Sequence, residues 1–204
     1  MGRYVQYNEE ELRALSDENK EKGNYIVLAT GTFDPCHASH RLYLQYARSF
    51  GRETLGKKLR FSPEILDDRV ALFVNVKNEE RVSLEKGLAK PVFSEMQRTS
   101  AIADLQYVDY VTVHPAYDQK PVIALAKVID PDLIVFGYDG NEKGFNNHEK
   151  RKIRDLLGYE VKFGSAPKFG DGSSSMILEE LCKPRESVAK KDGLRRSPLT
   201  ESYT

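Results

Sequence analysis

Two histidines three residues apart, His37 and His40, are the side chains whose type and spacing most directly suggest chemistry. They lie after Gly31, between an apolar run at 25–29 and a helix-like run at 41–50. Imidazoles with this spacing at a helix start fall on the same side, so both can reach one phosphate group. The helix N-terminus favours an anion, and a glycine lets the backbone approach it closely. The stretch therefore predicts a phosphate site suited to phosphoryl transfer, which needs positioning and charge stabilisation.

A zinc site is the competing interpretation of this histidine pair. Structural zinc takes four nitrogen or sulfur ligands, and the other histidines of the chain are His114 and His148. The cysteines, Cys36 and Cys182, are far apart in the chain and form no CxxC pair. We therefore expect two reduced thiols and favour the phosphate site over zinc.

The elements that must position the histidines alternate between strands and helices. Apolar runs predict five strands, and helical patterns lie between them, with the stretch at 77–94 predicted to be a polar loop. This alternation predicts an α/β fold, a Rossmann-like doubly wound five-stranded parallel sheet with helices on both faces. The strands are predicted at 25–30, 70–76, 108–113, 132–136 and 159–163, and the helices at 40–50, 63–69, 95–105, 121–128, 147–157 and 173–181. In such a sheet ligands bind beyond the carboxyl ends of the strands, where the turn after the first strand lies.

The sequence predicts three parts of the chain. Residues 1–23 are predicted to form an N-terminal surface helix or extension, 24–182 the main domain, and 183–204 a disordered basic tail. Acidic and basic residues balance at 31 each, which argues against nucleic acid as a partner, although 148–154 and the tail are basic. No membrane span or signal peptide is apparent, so we expect a cytoplasmic protein without a membrane partner.

The stretch GTFDPCHASH, from Gly31 to His40, resembles the GTFDxxHxGH signature of the HxGH-motif nucleotidyltransferase superfamily. That group includes glycerol-phosphate cytidylyltransferase, archaeal FAD synthetase and the heptose-phosphate adenylyltransferase domain. Further similar elements follow in family order at 86–98 (KG…KPVFSEMQR), 107–111 (YVDYV), 131–139 (PDLIVFGYD) and 172–178 (GSSSMIL).

The resemblance implies transfer of AMP or CMP from ATP or CTP to a phosphorylated small molecule, such as a sugar phosphate or phosphoalcohol, with release of pyrophosphate. Mg²⁺ would accompany the nucleotide, held mainly by the triphosphate and near Asp34. A homodimer is compatible with the resemblance. By the same resemblance the catalytic residues are His37, His40, Lys86 and Arg98, and the nucleotide-binding residues are Gly31, Thr32, Phe33, Asp34, Gly137, Asp139, Ser173, Ser174 and Ser175.

Two departures from the pattern leave alternatives open. Ser39 stands where the motif has glycine, so the alternative to an enzyme is a nucleotide-binding regulatory module of the same fold without turnover. The lead-in to the late serine cluster differs from that of cytidylyltransferases, which leaves ATP and CTP both open.

The segment 51–69 is interpreted as an insertion between the first helix and the second strand, serving as a lid, dimer contact or cap.

Overall fold

The computed structural model describes residues 2–87, 90–115, 121–137 and 160–163. Within these ranges strands and helices alternate along the chain, as predicted. The strands are β1 (Arg3–Tyr4), β2 (Tyr25–Gly31), β3 (Val70–Val76), β4 (Tyr110–Thr112), β5 (Leu133–Phe136) and β6 (Glu160–Phe163). The helices are α1 (Glu9–Glu21), α2 (Ala38–Leu59), α3 (Glu79–Lys86), α4 (Glu95–Ala103) and α5 (Pro121–Ile129), with a 3₁₀ segment at Pro63–Arg69.

The strands form one parallel sheet in the order β1-β4-β3-β2-β5-β6. The Rossmann-like α/β class and all five predicted strands are confirmed. Within the described residues the sheet has a sixth strand in addition to the five predicted, because β1 pairs Arg3 with Tyr110 at the sheet edge. From β2 the chain moves to β3 and β4 on one side, then returns to β5 on the other side of β2. The switch in strand order therefore lies between β2 and β5, where ligands bind in this architecture.

Alternating residues of β2 build a core on each face of the sheet. Tyr25, Val27 and Ala29 pack with buried residues of α2 and α4, whereas Ile26 and Leu28 pack with α1 and α5. A strand covered on both faces reads as a continuous apolar run, which explains why the central strands are visible in the sequence.

Helix α2 is much longer than predicted, running to Leu59 rather than ending near residue 50. Gly51 and Gly56 look like terminators in the sequence, but they serve close packing. A Cβ on Gly51 would lie 2.6 Å from the Val27 side chain, and one on Gly56 would lie 2.9 Å from the Phe61 carbonyl oxygen. The interpretation of 51–69 as an insertion is therefore wrong for its first half, which continues the helix.

The N-terminal stretch is joined to the rest of the fold. Asn8 caps α1 by accepting a hydrogen bond from the Glu11 N–H, and Leu12 and Leu15 are buried in the core beside α5. Together with β1, these contacts connect residues 2–23 to the sheet as well as to its covering helix.

The stretch predicted as a polar loop, 77–94, contains helix α3, so that prediction is wrong. Asn78 caps the helix by accepting a hydrogen bond from the Arg81 N–H at 2.7 Å, and Val82 is buried. The predicted helices at 147–157 and 173–181 and the basic tail lie outside the described residues. Across the described ranges, we find no helix with the length and apolar character that crossing a membrane requires.

Candidate active site

The site lies where β2 and β5 end side by side at the switch in strand order. Thr30 pairs with Phe136, so the two predicted glycines, Gly31 and Gly137, follow at adjacent strand ends. Tyr43 of α2 fastens these ends together, because its hydroxyl donates to the Val135 carbonyl at 2.7 Å. The same hydroxyl lies 3.2 Å from the Thr30 carbonyl oxygen, and burial raises the pKa of Tyr43. The sequence analysis did not identify this bridge, because it joins residues of two strands and a helix that are far apart in the chain.

The turn after β2 folds tightly back on itself. Phe33 is fully buried in the left-handed region at φ 54°, and its ring covers Gly31. A Cβ on Gly31 would lie 2.6 Å from that ring, so only glycine fits. The N–H of Lys77 donates to the Gly31 carbonyl at 3.0 Å and ties the turn to the end of β3.

The two histidines are brought together at the start of α2. His37 is the N-cap residue in extended conformation, and His40 lies in the first turn of the helix. Their ring centroids are 3.9 Å apart, and the His40 ring also packs edge-on against Phe33 at 5.2 Å. The spacing in the sequence predicted this juxtaposition.

The environment keeps His40 neutral. Burial, together with the nearby charges of His37 and Lys86, lowers its pKa from 6.5 to about 3. The Pro35 backbone opposes this shift only weakly, and Nδ1 of His40 is buried with no hydrogen bond of normal geometry. A largely neutral imidazole that packs beside a second imidazole is suited to meet a polar ligand.

Lys86 is the last residue of α3, and its side chain is exposed. The chain leaves the helix through Gly87, whose φ of +96° favours glycine. The charge of the ammonium group lowers the pKa of His40, which indicates that this predicted cation lies within electrostatic range of the histidine pair. Because Lys86 belongs to a helix rather than a loop, the position of its backbone is fixed.

Asp34 and Arg98 lie beneath the turn and make protein contacts. Asp34 is 3% exposed, and its carboxylate accepts hydrogen bonds from the N–H groups of Val92 at 2.8 Å and Phe93 at 2.9 Å. Arg98 is 1% exposed and donates to three backbone carbonyls, those of Thr32, Lys77 and Phe93. Their predicted roles, Asp34 near a metal and Arg98 as a catalytic cation, stay predictions.

The remaining predicted site residues, Asp139, Ser173, Ser174 and Ser175, lie outside the described residues. In the described ranges no group of three or more His, Cys, Asp or Glu side chains could hold a metal ion. Cys36, beside His37, is a free and partly buried thiol whose pKa is raised by burial.

Comparison with known proteins agrees with this geometry. A family model described as cytidylyltransferase-like matches residues 28–180. The chain belongs to this family. The match begins in β2 and includes the turn and both histidines, and it confirms the resemblance to the HxGH-motif nucleotidyltransferase superfamily.

The relatives of this cytidylyltransferase-like chain include bacterial proteins named bifunctional protein HldE. That of Campylobacter jejuni (strain RM1221) is 30% identical over 174 residues, covering 85% of this chain and 31% of its own length. That of Helicobacter pylori (strain G27) is 29% identical over 173 residues, covering 84% and 30%. The chain thus spans about a third of the length of these curated relatives.

A solved structure shows the same fold. The lipopolysaccharide core biosynthesis protein from Thermoplasma volcanium GSS1 aligns with a TM-score of 0.50 and 26% sequence identity. The alignment covers 72% of this chain and 99% of that chain.

Proposed function

We propose that the protein transfers a nucleoside monophosphate from a nucleoside triphosphate to a sugar phosphate and releases pyrophosphate. The observation that carries the proposal is the histidine pair, with ring centroids 3.9 Å apart, at the carboxyl ends of β2 and β5. Family membership supports a nucleotidyltransferase. The likeness to a protein of lipopolysaccharide core biosynthesis supports a sugar-derived acceptor.

In the proposed reaction, an acceptor phosphate oxygen attacks the α-phosphorus and the bond to the bridging oxygen of pyrophosphate breaks. His37 and His40 donate hydrogen bonds to the α- and β-phosphate oxygens as negative charge builds on them. Lys86 supplies a positive charge from the end of α3. No covalent intermediate with the protein is required, because the acceptor oxygen itself displaces pyrophosphate in a single step.

The nucleoside half of the donor is proposed to lie against β5. Among the described residues, the atoms nearest to a Cβ on Gly137 would be those of the Tyr43 ring at 3.9 Å, an ordinary contact. The packing of the described residues therefore does not require glycine at position 137. Close approach of a base or ribose to the backbone would require it. Both ATP and CTP are kept as candidate donors, because the lead-in to the late serine cluster differs from that of cytidylyltransferases.

The described residues do not fit a protein cage for Mg²⁺. They contain no metal-ligating cluster, and both carboxylate oxygens of Asp34 accept backbone N–H groups. We propose that Mg²⁺ is held by the triphosphate and not by a cage of these residues.

A pyrophosphate-release assay tests the proposal. Purified protein is incubated with Mg²⁺ and either ATP or CTP, across a panel of sugar phosphates, phosphoalcohols and FMN. We expect release that depends on a sugar phosphate, and its near-complete loss in His40→Gln, which removes the imidazole but stays polar.

Two outcomes would contradict the proposal. Full turnover by His40→Gln would exclude the role given to that imidazole. Nucleotide binding in calorimetry without pyrophosphate release for any acceptor would instead select the regulatory module, for which Ser39 is the specific reason. In that case Ser39→Gly is the matched variant, because it restores the motif residue between the histidines.

A further inference from the structure

Asp34 and Arg98 close a circuit of hydrogen bonds around the turn after β2. Arg98 Nη1 donates to the Thr32 carbonyl at 2.9 Å, and its Nε donates to the Phe93 carbonyl at 3.1 Å. The Phe93 N–H donates to Asp34 at 2.9 Å, which returns the circuit to the turn. A second bond from Nη1 reaches the Lys77 carbonyl at 2.7 Å. One guanidinium thus joins three separate segments to α4.

This circuit determines how two peptide groups of the turn are oriented. The Gly31 carbonyl accepts from the Lys77 N–H, and the Thr32 carbonyl accepts from Arg98. Both peptide bonds are trans, so each N–H points opposite to its carbonyl. The N–H groups of Thr32 and Phe33 are therefore directed away from Lys77 and Arg98.

Burying the charged guanidinium of Arg98 at this position costs free energy. Arg98 is 1% exposed, its Nη2 has no hydrogen-bond partner, and burial lowers its pKa against the attraction of Asp34. Well-packed apolar side chains often replace a buried charge with no loss of stability. A purely structural task would not need the charge, whereas a planar donor fork can hold several carbonyls at fixed angles.

We infer that Arg98 and Asp34 are positioning residues that preset the backbone of the phosphate-binding turn and do not contact the substrates. Arg98 aims the N–H groups of Thr32 and Phe33 at the phosphates, and Asp34 holds residues 92 and 93 as the support of the guanidinium. This inference rests on the proposed function for the ligand that those N–H groups meet.

The first test compares Arg98→Lys with Arg98→Met. A catalytic cation would be largely replaced by lysine, whereas an ammonium group cannot hold three carbonyls in the geometry of the fork. We expect kcat/KM for the triphosphate to fall on the order of 100-fold in both variants. Arg48 offers matched controls, because this largely buried arginine bonds the Tyr107 carbonyl at 3.1 Å and Asp109 at 2.6 Å, away from the turn.

Arg48→Lys and Arg48→Met are expected to stay within about threefold of wild type when assayed well below their melting temperatures. Recovery of most activity by Arg98→Lys would overturn the inference in favour of a catalytic cation. Equal loss in the Arg98 and Arg48 variants would overturn it in favour of a structural role only.

The second test does not depend on activity. Asp34→Asn leaves one carboxamide oxygen for two N–H groups, so amide hydrogen exchange at Val92 or Phe93 should accelerate about tenfold or more. The Leu72 amide, which donates to Asp109, is the internal reference and should not change. Unchanged exchange at both amides would overturn the positioning role of Asp34. If the wild type shows no transfer, the proposed function fails. The exchange experiment still shows whether Asp34 holds the backbone of residues 92 and 93.

Discussion

The half-buried, neutral state of His40 predicts how the stability of the protein depends on pH. In the folded protein its pKa is about 3, against an ordinary value of 6.5. Between these values the unfolded chain binds a proton that the folded protein does not bind. The neutral His40 therefore makes its full contribution to the free energy of unfolding above pH 6.5. This contribution decreases as the pH falls from 6.5 toward 3.

The size of this effect follows from the two pKa values. Each pH unit below 6.5 lowers the free energy of unfolding by at most about 1.4 kcal/mol through this one site. Between pH 7 and pH 5 the loss amounts to about 2 kcal/mol. In His40→Gln the titrating group is absent, so the variant should lose about 2 kcal/mol less than wild type over this interval.

Urea unfolding of wild type and His40→Gln at pH 7, 6 and 5 measures this difference. Carboxylates titrate in both proteins, so their contribution cancels when the two curves are subtracted. Parallel curves from pH 7 to pH 5 would refute the reasoning, because they would mean that His40 binds its proton equally in the folded and unfolded states.

Lys86→Met provides a second test of the same electrostatics. Because the charge of Lys86 lowers the pKa of His40, its removal should raise that pKa, and NMR titration of the His40 imidazole measures the change. An unchanged His40 titration would mean that Lys86 does not lie beside the pair.

Three further predictions concern stability and are checked by denaturant unfolding. Gly31→Ala should cost about 1–3 kcal/mol, because its Cβ would lie 2.6 Å from a buried ring, whereas Gly137→Ala should cost less than about 0.5 kcal/mol; equal losses would contradict the packing. Leu12→Ala should lower the free energy of unfolding by about 2–5 kcal/mol, because that side chain is fully buried. Leu84→Ala is its control, because Leu84 is 69% exposed. An unchanged stability of Leu12→Ala would contradict the packing of α1 against the core. Tyr43→Phe should cost about 1 kcal/mol by breaking the link to the Val135 carbonyl, and no loss would show that the link contributes nothing.

The sheet could be predicted because its central strands are buried on both faces. Such strands are continuous apolar runs, and β3 begins and ends at the predicted residues. The edge strand β1 consists of two exposed residues, Arg3 and Tyr4, so no pattern marks it. Its pairing with β4 depends on tertiary structure alone.

The errors in the helices have two different causes. Gly51 in α2 permits contact with Val27 of the sheet, and a glycine that serves packing looks the same in sequence as one that ends a helix. Helix α3 has a weak amphipathic pattern and one buried residue, Val82, so its polar composition resembled a loop. Its Asn78 cap was the signal that could have found it.

The site was predictable where its chemistry is local in sequence. The histidine pair follows from helical spacing, and the fold brings Gly31 and Gly137 together through strand order. The contacts of Asp34 and Arg98 join residues about sixty positions apart, so their residue types suggested ligand binding and not the backbone contacts that the structure shows.

The most direct test of the proposed reaction follows the α-phosphate of the donor. ATP and CTP labelled with ³²P at the α-position are incubated with the protein, Mg²⁺ and a sugar phosphate, and the products are separated. Our account predicts that the label appears in a nucleotide-linked sugar while unlabelled pyrophosphate is released in equal amount. Label found only in free nucleoside monophosphate, or left entirely in the triphosphate with every acceptor, would contradict it.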